Sequence, residues 1–204
     1  MNHKWENAFT LDKGSWGFVR DSSYTNYMTP DELMHEVVST VAYGGNCLIN
    51  VGPTADGRIV PIFQSLLLHL GDWLGVNGEA IYGTSPCPRH QNDTLTPDVF
   101  FTCSFPEEPQ STSSSSSSSS FPKSTLPALT QNVIFFKWPS RNSLTLGAIS
   151  VCPSRASMLG LNGNVHCLEK SGGKVEIDLS GLPVEILAQG KLSKGPWTLK
   201  MIYL

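Results

Sequence analysis

The chain has 204 residues, a formal net charge of −3 at pH 7 and a sequence pI near 5.9. The length allows one large domain or two small ones, and the charge balance excludes the basic footprint of a nucleic-acid-binding protein. A hydrophobic content of 40% and a mean hydropathy of −0.09 are ordinary for a globular protein, and no apolar stretch reaches membrane-spanning length. We therefore expect neither a nucleic-acid partner nor a membrane partner.

The first 28 residues are rich in aromatic side chains and show little periodicity. Within them, Ser15–Val19 is the stretch that best fits a strand. A helix is predicted to follow, because Thr29 can cap it, Pro30 suits the first turn and Glu32 completes a capping box. Its buried face is predicted from residues at helical spacing, which are Leu33, Val37, Val38 and Val41. His35, on the same helix, is expected to be a surface or packing residue.

A second unit of strand, loop and helix follows. Residues 47–51 form a short apolar run between turn signals, which predicts a strand buried on both faces. A tight loop over Gly52–Gly57 leads to a predicted helix over Pro61–Leu74, which Gly75 and Asn77-Gly78 would end. Its predicted buried stripe is Phe63, Leu66, Leu67, Leu70 and Leu74.

Short strand signals separated by turns dominate the remainder, which predicts an antiparallel sandwich. We place a domain boundary between residues 1–78 and 79–204. An acidic, proline-rich and serine-rich insertion at about 104–130 is expected to be disordered, because it cannot bury apolar surface. The predicted strands are 81–82, 99–102, 132–138, 143–146, 156–161, 174–179 and 197–203.

Five cysteines, at positions 47, 87, 103, 152 and 167, are an odd number, and no two have C-x-x-C spacing. No metal site is predicted from them, and their disulfide pairing stays open. Asn92-Asp93-Thr94 is an N-glycosylation sequon, so Asn92 is a candidate glycan site if the chain enters the secretory pathway. Residues 1–5 do not open a signal peptide, because no apolar segment of suitable length follows them.

Residues 44–61 read G-G-N-C-L-I-N-V-G-P-T-A-D-G-R-I-V-P. Their first part closely resembles the segment G-G-N-x-L-x-N-x-G-P-x-x-D-G of the α-L-fucosidases, the retaining glycosidases of glycoside hydrolase family 29. Trp5-Glu6-Asn7, Asp12–Gly17 and Asn77–Tyr82 look like flanking segments of that family. Residues 91–99 are similar to its secreted, plasma-type members. The resemblance covers almost the whole chain except roughly residues 104–130.

The resemblance implies a fold class: an α/β barrel fragment, made of the last βα units of a (β/α)8-type catalytic domain, followed by an antiparallel β-sandwich. It implies an enzyme that removes terminal L-fucose from glycoproteins and glycolipids, so the expected partners are fucosylated glycans. The family is lysosomal or secreted, and a homo-oligomer of the full-length enzyme stays open. No cofactor is expected, since acid/base glycosidases need none.

Retaining glycosidases need a nucleophile and an acid/base whose carboxyl groups lie about 5 Å apart. The resemblance implies that the nucleophile is an aspartate on an earlier barrel strand, outside this chain. Glu6 is a weak acid/base candidate, and we favour the alternative of a hydrogen-bonded carboxylate at the barrel rim. Asp12 is expected to be a loop or cap residue, and Asp56 a turn former.

Three residues are candidates for substrate binding: Trp5, Trp16 and Asn50. Asn50 lies at the predicted carboxyl end of its strand, the end that carries the active site in α/β barrels. Trp16 lies, by resemblance, where the family lines the pocket for the fucose methyl group. Its ring either stacks on the sugar or packs in the core, and both alternatives stay open.

The chain is expected to be an N-terminally truncated form that does not hydrolyse fucosides alone. The alternative is an inactive product that acts as a glycan-binding or enzyme-associating β-sandwich module. A third alternative, an unrelated sandwich with an accidental α/β prefix, is disfavoured by the motif at residues 44–61.

Overall fold

A computed structural model describes residues 3–105, 129–183 and 195–204. Within them, the chain forms two α-helices, single 3₁₀ turns at Tyr24–Asn26 and Gly78–Ala80, and ten strands. The helices are α1 (Pro30–Ala42) and α2 (Pro61–Asn77). The strands are β1 (Glu6–Thr10), β2 (Asn46–Asn50), β3 (Ser85–Pro86), β4 (Val99–Ser104), β5 (Leu129–Phe135), β6 (Ser143–Leu146), β7 (Arg155–Met158), β8 (His166–Lys170), β9 (Lys174–Asp178) and β10 (Trp197–Tyr203).

The N-terminal part is a parallel strand pair with two helices. β1 and β2 pair in register from Glu6 opposite Asn46 to Thr10 opposite Asn50, and α1 connects them. Because the strands are parallel and aligned, their carboxyl ends lie side by side at Thr10 and Asn50. The loops that follow β1 and β2 therefore begin side by side at the carboxyl end of this pair.

The predicted capping box of α1 is confirmed. The Thr29 hydroxyl accepts from the Glu32 N–H at 3.2 Å, and the Glu32 carboxylate accepts from the Thr29 N–H at 2.7 Å. The hydrogen bond from the Thr29 backbone, followed by that from Lys13, holds the pKa of Glu32 below its usual value. The predicted face of α1 is buried at Leu33, Val37 and Val38, but Val41 is half-buried. The other buried positions of the helix are Met34, Thr40 and Ala42.

The prediction of a strand at Ser15–Val19 is wrong, because β1 lies at Glu6–Thr10 and residues 15–19 form a loop. Local hydrogen bonds satisfy this loop: the Ser15 N–H donates to the Asp12 carbonyl at 3.2 Å, and the Gly17 N–H to the Ser15 hydroxyl at 3.2 Å. The aromatic residues at positions 15–19 therefore lie in a loop and do not pack as part of a strand.

The prediction that β2 is buried on both faces is also wrong. Cys47 and Ile49 pack against the core beneath the helices, whereas Leu48, on the other face, is 42% exposed. In the described residues, helices pack on one side of the strand pair. Successive side chains of β2 point to opposite faces, so its apolar run is buried on the helix side and exposed on the other.

α2 runs three residues further than predicted and uses a different buried stripe. It passes through Gly75 and reaches Asn77, where Gly78 follows as the C-cap. Leu67 is 37% exposed and Leu74 half-buried, and their places in the core are taken by Trp73 and Asn77. The buried positions are Phe63, Leu66, Leu70, Trp73 and Asn77.

The C-terminal part fits the predicted antiparallel sandwich. One sheet has the order β3-β4-β5-β10-β7 and the other β6-β9-β8. Strands β6 and β10 have the predicted bounds, β5 and β7 begin and end earlier than predicted, and β3 and β8 were not predicted. Ile81-Tyr82 is a turn, not a strand, because the Ile81 and Tyr82 N–H groups both donate to the Gly78 carbonyl.

Within the five-stranded sheet, β4 is buried on both faces. Val99, Phe101 and Cys103 point into the core between the two sheets. Phe100 instead joins the core under the helices, and the Thr102 hydroxyl donates to the Ala80 carbonyl at 2.7 Å. The helical part and the sandwich therefore share this sheet as a common layer.

The structure settles the cysteine pairing that the sequence left open. Cys87 bonds to Cys103 and Cys152 to Cys167, which are 16 and 15 residues apart in the chain. Loops of this length correspond to about 3 kcal/mol each in the chain-entropy account. Cys47 is free and half-buried, and desolvation raises the pKa of its thiol.

The predicted disordered insertion at about 104–130 falls mostly outside the described residues. Of that range, Ser104 ends β4, and Leu129 begins β5. Neither α1 nor α2 is long and apolar enough to cross a bilayer.

Candidate functional site

Asn50 organises the carboxyl ends of β1 and β2. Its side-chain amide donates to the Trp16 carbonyl at 2.7 Å and to the Thr10 hydroxyl at 3.1 Å. The Thr10 hydroxyl lies 3.2 Å from the Ser15 carbonyl, and the Leu11 N–H donates to the Asn50 carbonyl at 3.2 Å. The loop after β1 is thus fastened to the end of β2.

This loop presents the Trp16 ring to solvent, with 54% of the residue exposed. A Cβ on Gly52 would lie 2.5 Å from the Gly17 carbonyl carbon and the Phe18 nitrogen, so the loop rests directly on the Gly52 backbone. Of the two alternatives for Trp16, its exposure favours an accessible ring over core packing.

Trp5 and Glu6 lie at the opposite end of the strands. Glu6 begins β1 and Thr10 ends it, a separation of about 13 Å at the usual rise of a strand. The Trp5 indole N–H donates to the Tyr43 carbonyl at 3.3 Å, and its ring packs on Gly45, where a Cβ would lie 2.6 Å from it. The structure therefore brings Trp16 and Asn50 together and places Trp5 and Glu6 apart from them.

The structural roles predicted for Asp12 and Asp56 are confirmed. Asp12 is 2% exposed, and its carboxylate accepts from the Gly14 N–H at 2.9 Å, which closes a turn. Asp56 pairs with Arg58 and accepts from the Thr54 hydroxyl at 2.5 Å. These bonds, with Thr54 first and Arg58 second, hold the pKa of Asp56 below its usual value.

Two cavities flank this edge of the strand pair. One of about 540 Å³ runs along β1 beside α1, with Thr10, Trp16 and Glu36 in its wall. The other, of about 840 Å³, is lined by the loop between β2 and α2 and by the first turn of α2, with Phe18 and Arg58 in its wall. Across the described ranges, His, Cys, Asp and Glu side chains form no group of three that could hold a metal ion.

The sequon loop holds a residue that the sequence reasoning missed. Asn92 is exposed and pairs with Phe100, and the neighbouring Asp93 is 6% exposed. The Asp93 carboxylate accepts four backbone N–H groups at 2.7–2.9 Å, from residues 95, 96, 147 and 148. Two of these donors are more than 50 residues away in the chain, so no local pattern signals them.

We expect Asp93→Ala to lower the free energy of unfolding by about 2–3 kcal/mol, because several buried N–H groups lose a charged acceptor. Urea unfolding followed by circular dichroism measures this. Asp93→Asn is the matched control, since it keeps one acceptor oxygen and should lose less. The substitution leaves the sequon Asn92-x-Thr94 intact, so any glycan stays constant. A loss below about 0.5 kcal/mol for Asp93→Ala would contradict the role given to this carboxylate.

Comparison with known proteins identifies related enzymes. The family model described as Alpha-L-fucosidase matches residues 1–79. Plasma α-L-fucosidase of Homo sapiens is 45% identical over 147 residues, which cover 72% of this chain and 27% of that protein. The α-L-fucosidase of Branchiostoma floridae is 38% identical and covers 88% of this chain and 35% of its own length. Tissue α-L-fucosidase of Homo sapiens is 34% identical over 201 residues, or 98% of this chain and 37% of that protein.

Solved structures share the fold. The Thermotoga maritima α-fucosidase in complex with fucose has a TM-score of 0.68 at 23% identity, over 98% of this chain and 40% of that one. A family 29 α-L-fucosidase from Bacteroides thetaiotaomicron has a TM-score of 0.70 at 18% identity, over 97% and 37%. This chain spans between 27% and 37% of the length of the relatives named above. The resemblance found in the sequence is confirmed: the chain is a homologue of the α-L-fucosidases and corresponds to part of their length.

Proposed function

We propose that this chain is part of a retaining α-L-fucosidase and that the carboxyl ends of β1 and β2 contribute to its fucose site. The observation that carries the proposal is the arrangement at Asn50, whose amide fixes the Trp16 carbonyl and the Thr10 hydroxyl while the Trp16 ring stays exposed. The names of the sequence relatives supply the substrate class.

We infer that residues 1–78 are the last βα units of a (β/α)8-type barrel and residues 79–204 its C-terminal sandwich. Support comes from β1 and β2, which are parallel, aligned and connected through α1. In the described part of the chain, this sheet has two strands, so each has one unpaired edge. Further strands of a barrel would cover those edges, and the site lies at the end where barrels carry their chemistry.

In this proposal, Trp16 recognises terminal L-fucose on glycoproteins and glycolipids. Its ring would stack on the C–H face of the sugar and contact the methyl group, burying apolar surface at about 25 cal/mol per Å². Asn50 acts as a positioning residue, because its amide holds the backbone of Trp16. Trp5 packs on Gly45 at the far end of β1, and we therefore assign it a structural role.

The carboxylates of the double displacement are proposed to come from outside the described residues. Glu6 lies about 13 Å from the carboxyl end of β1, a distance that does not support an acid/base role beside Trp16. Its exposed position at the start of β1 supports a place at the barrel rim, whereas the hydrogen bond expected of that carboxylate is not formed within the described residues.

We also propose that the protein is lysosomal or secreted. The two disulfides support an oxidising compartment, where a glycan at Asn92 would also be added.

The test uses the full-length enzyme that contains this chain, with an aryl α-L-fucoside as substrate and a fucose-like iminosugar as inhibitor. Trp16→Ala should raise the inhibition constant by more than about fivefold, equivalent to about 1 kcal/mol, because the sugar loses its apolar contact. Tyr24→Ala is the matched control, since Tyr24 is 79% exposed on the same loop and is given no role.

An unchanged inhibition constant for Trp16→Ala, with an unchanged melting temperature, would remove Trp16 from the site. Absence of turnover on the fucoside, alongside turnover of another aryl glycoside, would reject the fucosidase assignment itself.

A further inference from the structure

A cavity of about 330 Å³ opens in the sandwich, remote in sequence from the residues at the ends of β1 and β2. One wall is the disulfide between Cys87 and Cys103, and the opposite wall is the segment 148–151 after β6. Leu129 and Tyr203, from the paired ends of β5 and β10, line it as well. Its volume lies at the lower end of the range for small-molecule sites, and its walls are mostly apolar.

The polar groups of this cavity are cationic or neutral. Arg89 and His90 follow Cys87 directly and line the cavity, and its described lining contains no aspartate or glutamate. Arg89 forms no ion pair within the described residues. Burial raises the pKa of Tyr203 to about 12, so its phenol is neutral and adds no negative charge. The combination of apolar walls with an unpaired guanidinium is complementary to an occupant with an apolar body and an anionic group.

The walls are fixed before any ligand arrives. The disulfide holds Cys87 against β4, and the Gln91 amide donates to the Cys87 carbonyl at 2.8 Å. On the other side, the Asp93 carboxylate holds the Gly147 and Ala148 N–H groups at 2.8 Å. A preformed site loses less affinity to ordering than a flexible one.

We propose that this cavity binds a small amphipathic anion. The apolar body of the ligand would pack against Leu129 and the disulfide, and its carboxylate, sulfonate or sulfate group would bind Arg89. This binding activity is separate from fucose recognition, since none of its lining residues belongs to the site at Asn50. Val151 lines the cavity and is 58% exposed, so a larger side chain at this position would narrow the opening to solvent.

The test titrates the 204-residue chain with two fluorescent probes, 8-anilinonaphthalene-1-sulfonate and its neutral analogue N-phenyl-1-naphthylamine. The anionic probe should bind more tightly than the neutral one. Arg89→Gln should weaken the anionic probe by about tenfold and leave the neutral probe unchanged, because the charged hydrogen bond is lost. Arg155→Gln, an exposed arginine outside the cavity, is the control and should change neither.

A second pair of variants tests the location. Val151→Trp should block the mouth and weaken both probes by about tenfold or more. Val76→Trp is the matched control, since Val76 is 39% exposed on α2. Near-ultraviolet circular dichroism of each variant shows whether its fold is retained. Equal effects of the two tryptophan variants, or an affinity for the anionic probe that Arg89→Gln does not change, would show that the probes bind elsewhere and would overturn the proposal. Absence of saturable binding would overturn it too.

Discussion

Trp73→Ala is expected to lower the free energy of unfolding by about 3–5 kcal/mol, the usual cost of removing a large aromatic ring from a core. Trp73 is fully buried on α2, with 0% of its surface exposed. A Cβ on Gly195 would lie 2.8 Å from its ring, so the ring lies directly against the backbone that leads into β10. Its indole N–H donates to the Pro196 carbonyl at 2.6 Å. The variant therefore loses both packing and a buried hydrogen bond across the contact between helix and sandwich.

Urea unfolding of the variant and the wild-type chain measures this effect. Trp73→Phe separates the two contributions, because it keeps most of the packing and loses the hydrogen bond, at an expected cost of about 1–2 kcal/mol. Leu68→Ala is the control on the same helix, since Leu68 is 68% exposed and should change stability by less than about 0.5 kcal/mol. A loss below about 1 kcal/mol for Trp73→Ala would show that the helix does not depend on this contact.

The same contact bears on the domain boundary that the sequence suggested near residue 78. Phe100 and Ile134 of the five-stranded sheet belong to the core under the helices, and Lys200 of β10 pairs with Glu79 at 2.6 Å. A sandwich cut off at residue 79 would expose the sheet face that carries Phe100 and Ile134. The boundary near residue 78 stays a prediction, and two residues beyond it, Phe100 and Ile134, complete the core under the helices.

Local patterns in the sequence predicted the features that depend on a few neighbouring residues. The capping box of α1 needs Thr29 and Glu32 three positions apart, and both bonds form as expected. The strand predicted over 174–179 is confirmed as β9, in which Val175 and Ile177 are fully buried. Asn50 was placed at the carboxyl end of its strand because Gly52-Pro53 ends the apolar run.

Features set by distant partners could not be predicted in the same way. β1 carries few strand-forming residues, and its pairing with β2 fixes it as a strand. The exposure of Trp16 depends on Asn50, 34 residues later in the chain. Glu6 and Trp16 belong to neighbouring motifs in the sequence, but a strand of five residues places them at opposite ends. Candidate residues that are close in the sequence, such as Glu6 and Trp16, are therefore not close enough in the structure to act in one site.

The 204-residue chain is expected to cleave aryl α-L-fucosides at less than about a thousandth of the rate of a full-length homologue, since losing one member of a catalytic unit costs orders of magnitude. The mechanism needs two carboxylates facing each other across the scissile bond. Asp12 follows β1 but is buried in its own turn, and Asp56 follows β2 but is held by Arg58 and Thr54. Glu6 lies at the other end of β1. None of these three is placed to act as nucleophile or acid/base beside Trp16.

The assay compares the chain with a full-length fucosidase at equal concentration, after near-ultraviolet circular dichroism has shown native packing. Asp12→Asn and Asp56→Asn are prepared in parallel. Turnover close to that of the full-length enzyme would contradict the expectation, and its loss in one of these variants would identify a carboxylate to which we assigned a structural role. No turnover, together with saturable binding of a fucose-like inhibitor, would instead favour the alternative of a glycan-binding module, since recognition through Trp16, positioned by Asn50, needs no carboxylate pair.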